Sequence, residues 1–220
     1  MRRVFATFAC FFLLGSATFA GEDALDPSSS NAFHKWVNVK SDRLDHYQAF
    51  EAFLRKRGVN NVVPAWQLWR IDGQYAKRCG TDFFAVPPRK HWPSIVPALL
   101  LIRDEVVPVV GTVDVVSASR TPEINACVNG ASRSKHLQFR ALDLVTERQQ
   151  DRTKLFTSLC KLQRRVGART KMGLGAYFDP DDKPRNTAGR FHIDAEGSRT
   201  WGFDYTRKSS PCAKLLRQVS

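Results

Sequence analysis

The sequence predicts an α+β fold, a small antiparallel sheet with flanking helices. Helical and short extended segments mix without the regular strand–helix alternation of a parallel α/β sheet. A valine-rich run, Val109 to Ser119, interrupts an otherwise helical first half and is followed by several short apolar segments. Once a secretory signal is set aside, about 200 residues remain, enough for one core.

The signal is read from Arg2 and Arg3, the apolar stretch Val4 to Leu14, and the small residues Ser16, Ala17, Thr18 and Ala20, with cleavage expected after Ala20. The apolar stretch is shorter than the ~20 residues that span a bilayer, so no stable membrane insertion is expected after cleavage; an uncleaved anchor is the alternative. Cys10 lies inside the apolar stretch without small residues before it, which disfavours a lipoprotein. The chain then divides into a leader (21–40), an N-terminal helical region (41–108) packed on the catalytic part, and a core (109–220).

Within the leader, residues 21 to about 32, with Pro27 and Ser28 to Ser30, read as flexible. A helix follows from Ser41 or Asp42 as cap, with Leu44, Tyr47, Phe50 and Leu54 on one face and Gly58 as stop. Val62 to Trp69 is apolar and aromatic; Trp66 and Trp69 suit burial better than a sugar-binding surface. After Pro87 and Pro88, Ser94 to Val107 carries the pattern of a buried helix, and Val109 to Ser119 that of a strand or tight hairpin.

Pro122 opens a short helix that reaches Asn129 and Gly130. Ala141 to Val145 is a strand. Leu155, Phe156, Leu159, Leu162 and Val166 mark an amphipathic helix closed by Gly167. Leu174 to Phe178 and Arg190 to Asp194 are two more strands, separated by the polar loop Asp179 to Gly189. No internal repeat interrupts this order.

The formal net charge of +13 falls only by Arg2 and Arg3 when the signal leaves, so the mature chain stays strongly basic. Such a balance favours a polyanionic partner. Export makes an acidic envelope polymer a better candidate than nucleic acid, with simple surface solvation as the plainer account. Oligomeric state is left open. Four cysteines remain after cleavage, Cys79, Cys127, Cys160 and Cys212, an even number suited to two disulfides in an exported chain. None forms a Cys-x-x-Cys pair, so a thiolate zinc site has little support. Of the three pairings, Cys79 with Cys127 and Cys160 with Cys212 is preferred, though sequence alone does not choose.

Chemistry concentrates in the second half. Ser134-Lys-His136-Leu-Gln-Phe-Arg-Ala-Leu-Asp143 puts an imidazole at the end of a loop and a carboxylate on the following strand. Phe191-His192-Ile193-Asp194 offers a third group from a distant strand, where residues two apart share a face. Catalytic zinc takes three such ligands and keeps a fourth position open. Taken singly, each histidine is more often a hydrogen-bonded surface or core residue.

Ser117-Ala-Ser-Arg120-Thr-Pro-Glu-Ile-Asn125, then Asn129-Gly-Ala-Ser-Arg-Ser134-Lys-His136 and Ala141-Leu-Asp143, resembles the D-Ala-D-Ala metallopeptidase family, with its hedgehog-type zinc fold. The likeness runs over roughly 113–201, including Gly173-Leu-Gly-Ala-Tyr177 and Gly197 to Trp201. It implies Zn2+ held by His136, Asp143 and His192, and hydrolysis of peptidoglycan peptides, as a D-alanyl carboxypeptidase or a crosslink endopeptidase, by zinc-activated water. Arg120 then matches the arginine that holds a substrate carboxylate or carbonyl, and Ser134 a serine that positions substrate or instead braces its loop.

Two positions depart from the family pattern. Phe139 stands where the family has a glycine between histidine and aspartate, which predicts ordinary backbone dihedrals and a narrower site mouth. Gly189 stands where members carry an acidic base, three residues before the last histidine. Asp194 is the substitute, as the catalytic base or as a partner that orients His192. The missing acid also keeps open a catalytically impaired, zinc-containing protein that binds the cell wall.

Overall fold

A computed structural model describes residues 26–178 and 189–215. The expected signal and its cleavage point, and the polar loop as far as residue 188, lie outside the described residues.

The leader is only partly a leader. Ser29 accepts a hydrogen bond from the Ala32 amide and so caps a helix, α1 (Ser30–Asn38), which buries Phe33 and Val37 one turn apart. Phe33 is fully buried, its ring edge-on to Tyr47 and Phe84 at 4.9 and 5.2 Å. The serine run is therefore a cap, and apolar burial overrides its local preference for a loop.

Helix α2 (Ser41–Lys56) buries Tyr47, Phe50 and Leu54 and ends before Gly58, as expected. Its capping position is Lys40, whose side chain makes no cap bond. A 3₁₀ turn (Ala65–Trp69) buries Trp69, while Trp66 is half-buried under the Arg70 guanidinium at 4.5 Å. Helix α3 (Gly73–Cys79), which has no periodic signal of its own, is capped by Asp72 and closed by left-handed Gly80.

The apolar segment before the sheet is one long helical path. Helix α4 (Trp92–Leu101) continues through a π-helical turn (Ile102–Val106) into α5 (Val107–Val110). Pro108 has no amide to give the Asp104 carbonyl, and beside it the Val107 amide reaches five residues back to Ile102. Val109 and Val110, expected in a strand, thus end a helix; the strand β1 (Val113–Ser117) starts only after Gly111 turns the chain at φ 83°.

Thr121 caps α6 (Pro122–Cys127), which is followed by β2 (Ala141–Thr146). Helix α7 (Arg152–Thr170) is capped by Asp151 and does not stop at Gly167; left-handed Lys171 ends it. A Cβ at Gly167 would stand 2.6 Å from the Gln163 amide and 2.9 Å from the Ser198 hydroxyl, so this glycine serves close packing. The chain closes with β3 (Gly173–Ala176), β4 (Phe191–Asp194), β5 (Arg199–Trp201) and α8 (Pro211–Leu215).

The strands form one sheet in the order β1-β2-β4-β3-β5. Three ladders are antiparallel, but β5 pairs with β3 in parallel, so the sheet is mixed and the α+β class holds. Its register puts Ser117, Asp143, His192, Gly175 and Trp201 in one row, and Ala141, Asp194, Gly173 and Arg199 in the next row of the same face. The alternate residues Leu142, Leu144, Leu174, Phe191 and Ile193 go to the opposite face and join the apolar core with α4 and α7.

The preferred disulfide pairing is the one formed: Cys79–Cys127 ties α3 to α6, and Cys160–Cys212 ties α7 to α8. Among the described residues no helix is long and apolar enough to cross a membrane.

Candidate metal centre

The middle row of the sheet supplies two of the three predicted ligands as direct neighbours, Asp143 on β2 opposite His192 on β4. The third, His136, comes from the 3₁₀ turn Lys135–Gln138. That turn is set by its closing residue. Phe139 adopts the left-handed conformation at φ 54° and ψ 46°, so the expectation of ordinary dihedrals at this position is corrected. The strain is tolerated because the ring is fully buried in the core, 6.0 Å from Phe50. Phe139 points away from the cleft and does not narrow its mouth; it is absent from the residues that line it.

His136 Nε2, His192 Nδ1 and Asp143 Oδ1 form a nearly equilateral triangle with edges of 3.1 to 3.2 Å. All three residues are buried. Each histidine uses its other nitrogen elsewhere: His136 Nδ1 donates to the Ala118 carbonyl at 2.8 Å, and His192 Nε2 donates to Asp194 Oδ2 at 2.9 Å. With those protons committed outward, three lone pairs face one another at the centre. Such an arrangement repels itself unless a cation sits between. A tetrahedral ion with bonds of about 2.0–2.1 Å wants ligand atoms about 3.3 Å apart, so the donor set and spacing fit zinc.

The carboxylate of Asp143 is fully enclosed. Its Oδ1 also accepts from the Tyr177 hydroxyl at 2.5 Å, and its Oδ2 from Arg190 Nη2 at 2.6 Å. Burial pushes its pKa up, but the charges of His136 and Arg190 and the hydrogen bonds to both histidines win and hold it well below the usual carboxylate range. His136 is lowered, chiefly by burial. Burial would lower His192 too, but its bonds to Asp143 and Asp194 outweigh that and raise it. Burial and the neighbouring Asp143 keep Tyr177 protonated far above its ordinary range.

Asp194 is not placed as a base. It is fully buried, its Oδ1 and Oδ2 accept from Arg199 at 2.9 and 2.6 Å, and it also accepts from the Glu196 amide and from His192. Burial opposes its ionisation, yet the bonds from His192 and Arg199 hold its pKa below the ordinary carboxylate range. A carboxylate so engaged orients the imidazole of His192. Gly189 does not open the site either: a Cβ there would meet the Leu155 side chain at 2.8 Å, toward α7.

Over the triangle lies a cleft of about 410 Å³, lined among others by Tyr75, Arg120, Ser134, Arg199, Trp201 and Tyr205. Arg120 is buried at its rim, 5.1 Å over the Tyr75 ring, with Nη1 donating to Asn125 at 3.3 Å and Nη2 4.0 Å from Asp143. Asn125 in turn donates to the Gly130 and Ala131 carbonyls, which orders the loop toward His136. The Ser134 hydroxyl lines the cleft and makes no cap bond to its turn.

Tyr177, Arg190, Arg199 and Trp201 were not singled out as site residues by sequence. One signal was present: Arg190 stands two residues before His192, on the same strand face.

A buried His–Asp–His triangle on one face of a small sheet, open to a cationic cleft, defines a single-metal hydrolytic centre. Residues 101–175 match the family model described as peptidase M15, the D-Ala-D-Ala metallopeptidases, which is the family the motifs resemble. The matched segment contains Arg120, His136 and Asp143, and ends before His192. No curated protein and no solved structure matches the chain.

The two glycines of Gly173-Leu-Gly175-Ala both lie on the site face. A Cβ at Gly175 would come within 2.0 to 2.3 Å of the Trp201 indole, whose ring lies 5.1 Å from that of His192. Gly175→Ala is therefore expected to displace Trp201 and lower peptide hydrolysis by about 100-fold, with zinc retained, since a misplacement of about 1 Å in a site wall is worth that much. Tryptophan fluorescence, metal content and turnover check it together.

Proposed function

We propose that the protein is a secreted, periplasmic zinc peptidase that hydrolyses peptide bonds of peptidoglycan, at a terminal D-alanine or at a crosslink. The observation that carries this reading is the convergence of His136 Nε2, His192 Nδ1 and Asp143 Oδ1, whose lone pairs leave room for one small cation beneath a cleft. When bound there, zinc supplies Lewis acidity that polarises a carbonyl and acidifies a water.

The chain's own groups then orient the substrate. Arg120, with Nη2 left toward the cleft, suits a substrate carboxylate or carbonyl, and its guanidinium is held flat by Tyr75 and Asn125. Ser134 offers a hydroxyl beside it. Arg133, Lys135 and Arg199 add positive charge around the opening, and no carboxylate is among its lining residues. That balance favours anionic wall peptides.

The outer face of α7 supports the same class of partner. The helix carries Arg152, Lys154, Lys161, Arg164, Arg165 and Arg169 and no acid. An acidic polymer meeting such a face is held by counterion release and is lost with salt. The two disulfides and the expected signal support the exported location.

A second reading is favoured by one observation: Asp194 is committed to Arg199 and His192, and among the described residues no other acid points into the cleft. On that reading the protein binds wall peptides through zinc without turning them over. Incubation of the zinc-loaded protein with crosslinked and uncrosslinked muropeptides, followed by mass analysis, separates the two. Loss of D-alanine or of the crosslink is expected, abolished by a chelator; unchanged masses with retained binding would establish the second reading.

A further inference from the structure

The metal carboxylate does not end at Asp143. Arg190 divides its guanidinium between two buried acids: Nη2 donates to Asp143 Oδ2 at 2.6 Å, and Nη1 pairs with Asp72 Oδ2. Asp72 is only 4 % exposed, and its other oxygen caps α3 by accepting from the Gln74 and Tyr75 amides at 2.8 and 3.0 Å. Tyr75, on that first turn, lies under both Arg120 and Arg190, at 5.1 and 5.9 Å. The far end of α3 is bound through Cys79–Cys127 to α6, the helix that bears Asn125 and steadies Arg120. Neither Asp72 nor Arg190 falls within the segment matched to the peptidase family.

We infer that Asp72 and Arg190 are positioning residues of the metal centre, through which the N-terminal region sets how Asp143 meets its ion. The inference rests on the metal reading of His136, Asp143 and His192. Two physical consequences follow from the geometry. First, Arg190 occupies Asp143 Oδ2, so only Oδ1 is presented to the histidine pair and the carboxylate meets a cation through one oxygen. Second, a guanidinium this close to a divalent site opposes the cation, and Asp72 is the buried charge that offsets it. The side chain of Asp72 therefore performs two separable tasks, the cap of α3 and the charge balance of the centre.

Asp72→Asn separates them, because asparagine keeps the capping oxygen and removes the charge. Zinc affinity is measured by competition with a chromophoric chelator, and coordination by the visible bands of the cobalt(II)-loaded protein. The expected result is zinc binding about 10–100-fold weaker, the usual effect of losing a partner behind a ligand. Arg190→Lys keeps the charge but cannot bridge both acids; it is expected to shift the cobalt bands as Oδ2 is released. This second variant also serves if Asp72→Asn does not fold. Variants whose zinc affinity and cobalt bands match the parent protein overturn this inference alone. A parent protein that holds no zinc overturns the metal reading, and this inference with it.

Discussion

His136→Ala is expected to leave a protein that retains no zinc after dialysis and shows no peptide hydrolysis. His136 is the ligand contributed by the loop, and its Nε2 stands 3.2 Å from both Asp143 Oδ1 and His192 Nδ1. Without it, two groups remain where a catalytic zinc needs three, and the void beside Asp143 lies open to the cleft. The fold is expected to survive, since the turn that carries His136 is anchored by buried Phe139 and by the Arg120 amide bonded to the His136 carbonyl at 3.1 Å. Metal analysis and muropeptide turnover on the purified variant, with circular dichroism for the fold, check all three parts. Full activity without His136 would sink the ligand assignment.

The second large effect concerns Asp194. Replacement by alanine removes the acceptor that faces His192 Nε2 and leaves Arg199 without its carboxylate partner. If Asp194 orients the ligand imidazole, zinc affinity is expected to fall about 10–100-fold, and part of the lost turnover returns at saturating zinc. A base acting on the reaction makes the opposite prediction, normal zinc affinity with turnover lost at every zinc concentration. Chelator competition alongside turnover at several zinc concentrations distinguishes them, and intact affinity would reverse the structural placement of this residue.

Both expectations depend on how distant segments converge, and legibility from sequence divides along that line. Features written in local pattern are visible without coordinates. The apolar faces of α2 and α7 repeat at helical spacing, Pro122 opens α6, and the strands bearing Asp143 and His192 follow from short apolar runs. His136 and Asp143 stand seven residues apart within one motif, so their meeting needs only a turn. Glycine at 189 likewise signals that the usual acid is missing.

Other features depend on what a residue meets across the fold. Ser28 to Ser30 read as leader until Phe33 finds Tyr47 and Phe84, and Val109 and Val110 read as strand until α4 carries its helix onward to Gly111. Gly167 looks like a stop, yet its lack of a side chain admits Gln163 and Ser198 while the helix runs on. Phe139 holds a left-handed backbone that its type disfavours, because burial of the ring against Phe50 outweighs the local cost. The base assigned to Asp194 fails for the same kind of reason: strand periodicity puts it on the correct face, but only the β3–β5 pairing brings Arg199 alongside to engage it.

The ligand triad is thus carried by residue type and spacing along the chain, because coordination chemistry demands particular side chains in a recognisable order. Its support, the link from Asp72 through Arg190 to Asp143, joins residues 118 positions apart at its longest step. No local pattern encodes that step, since a salt bridge between distant segments is chosen by packing and not by sequence neighbours.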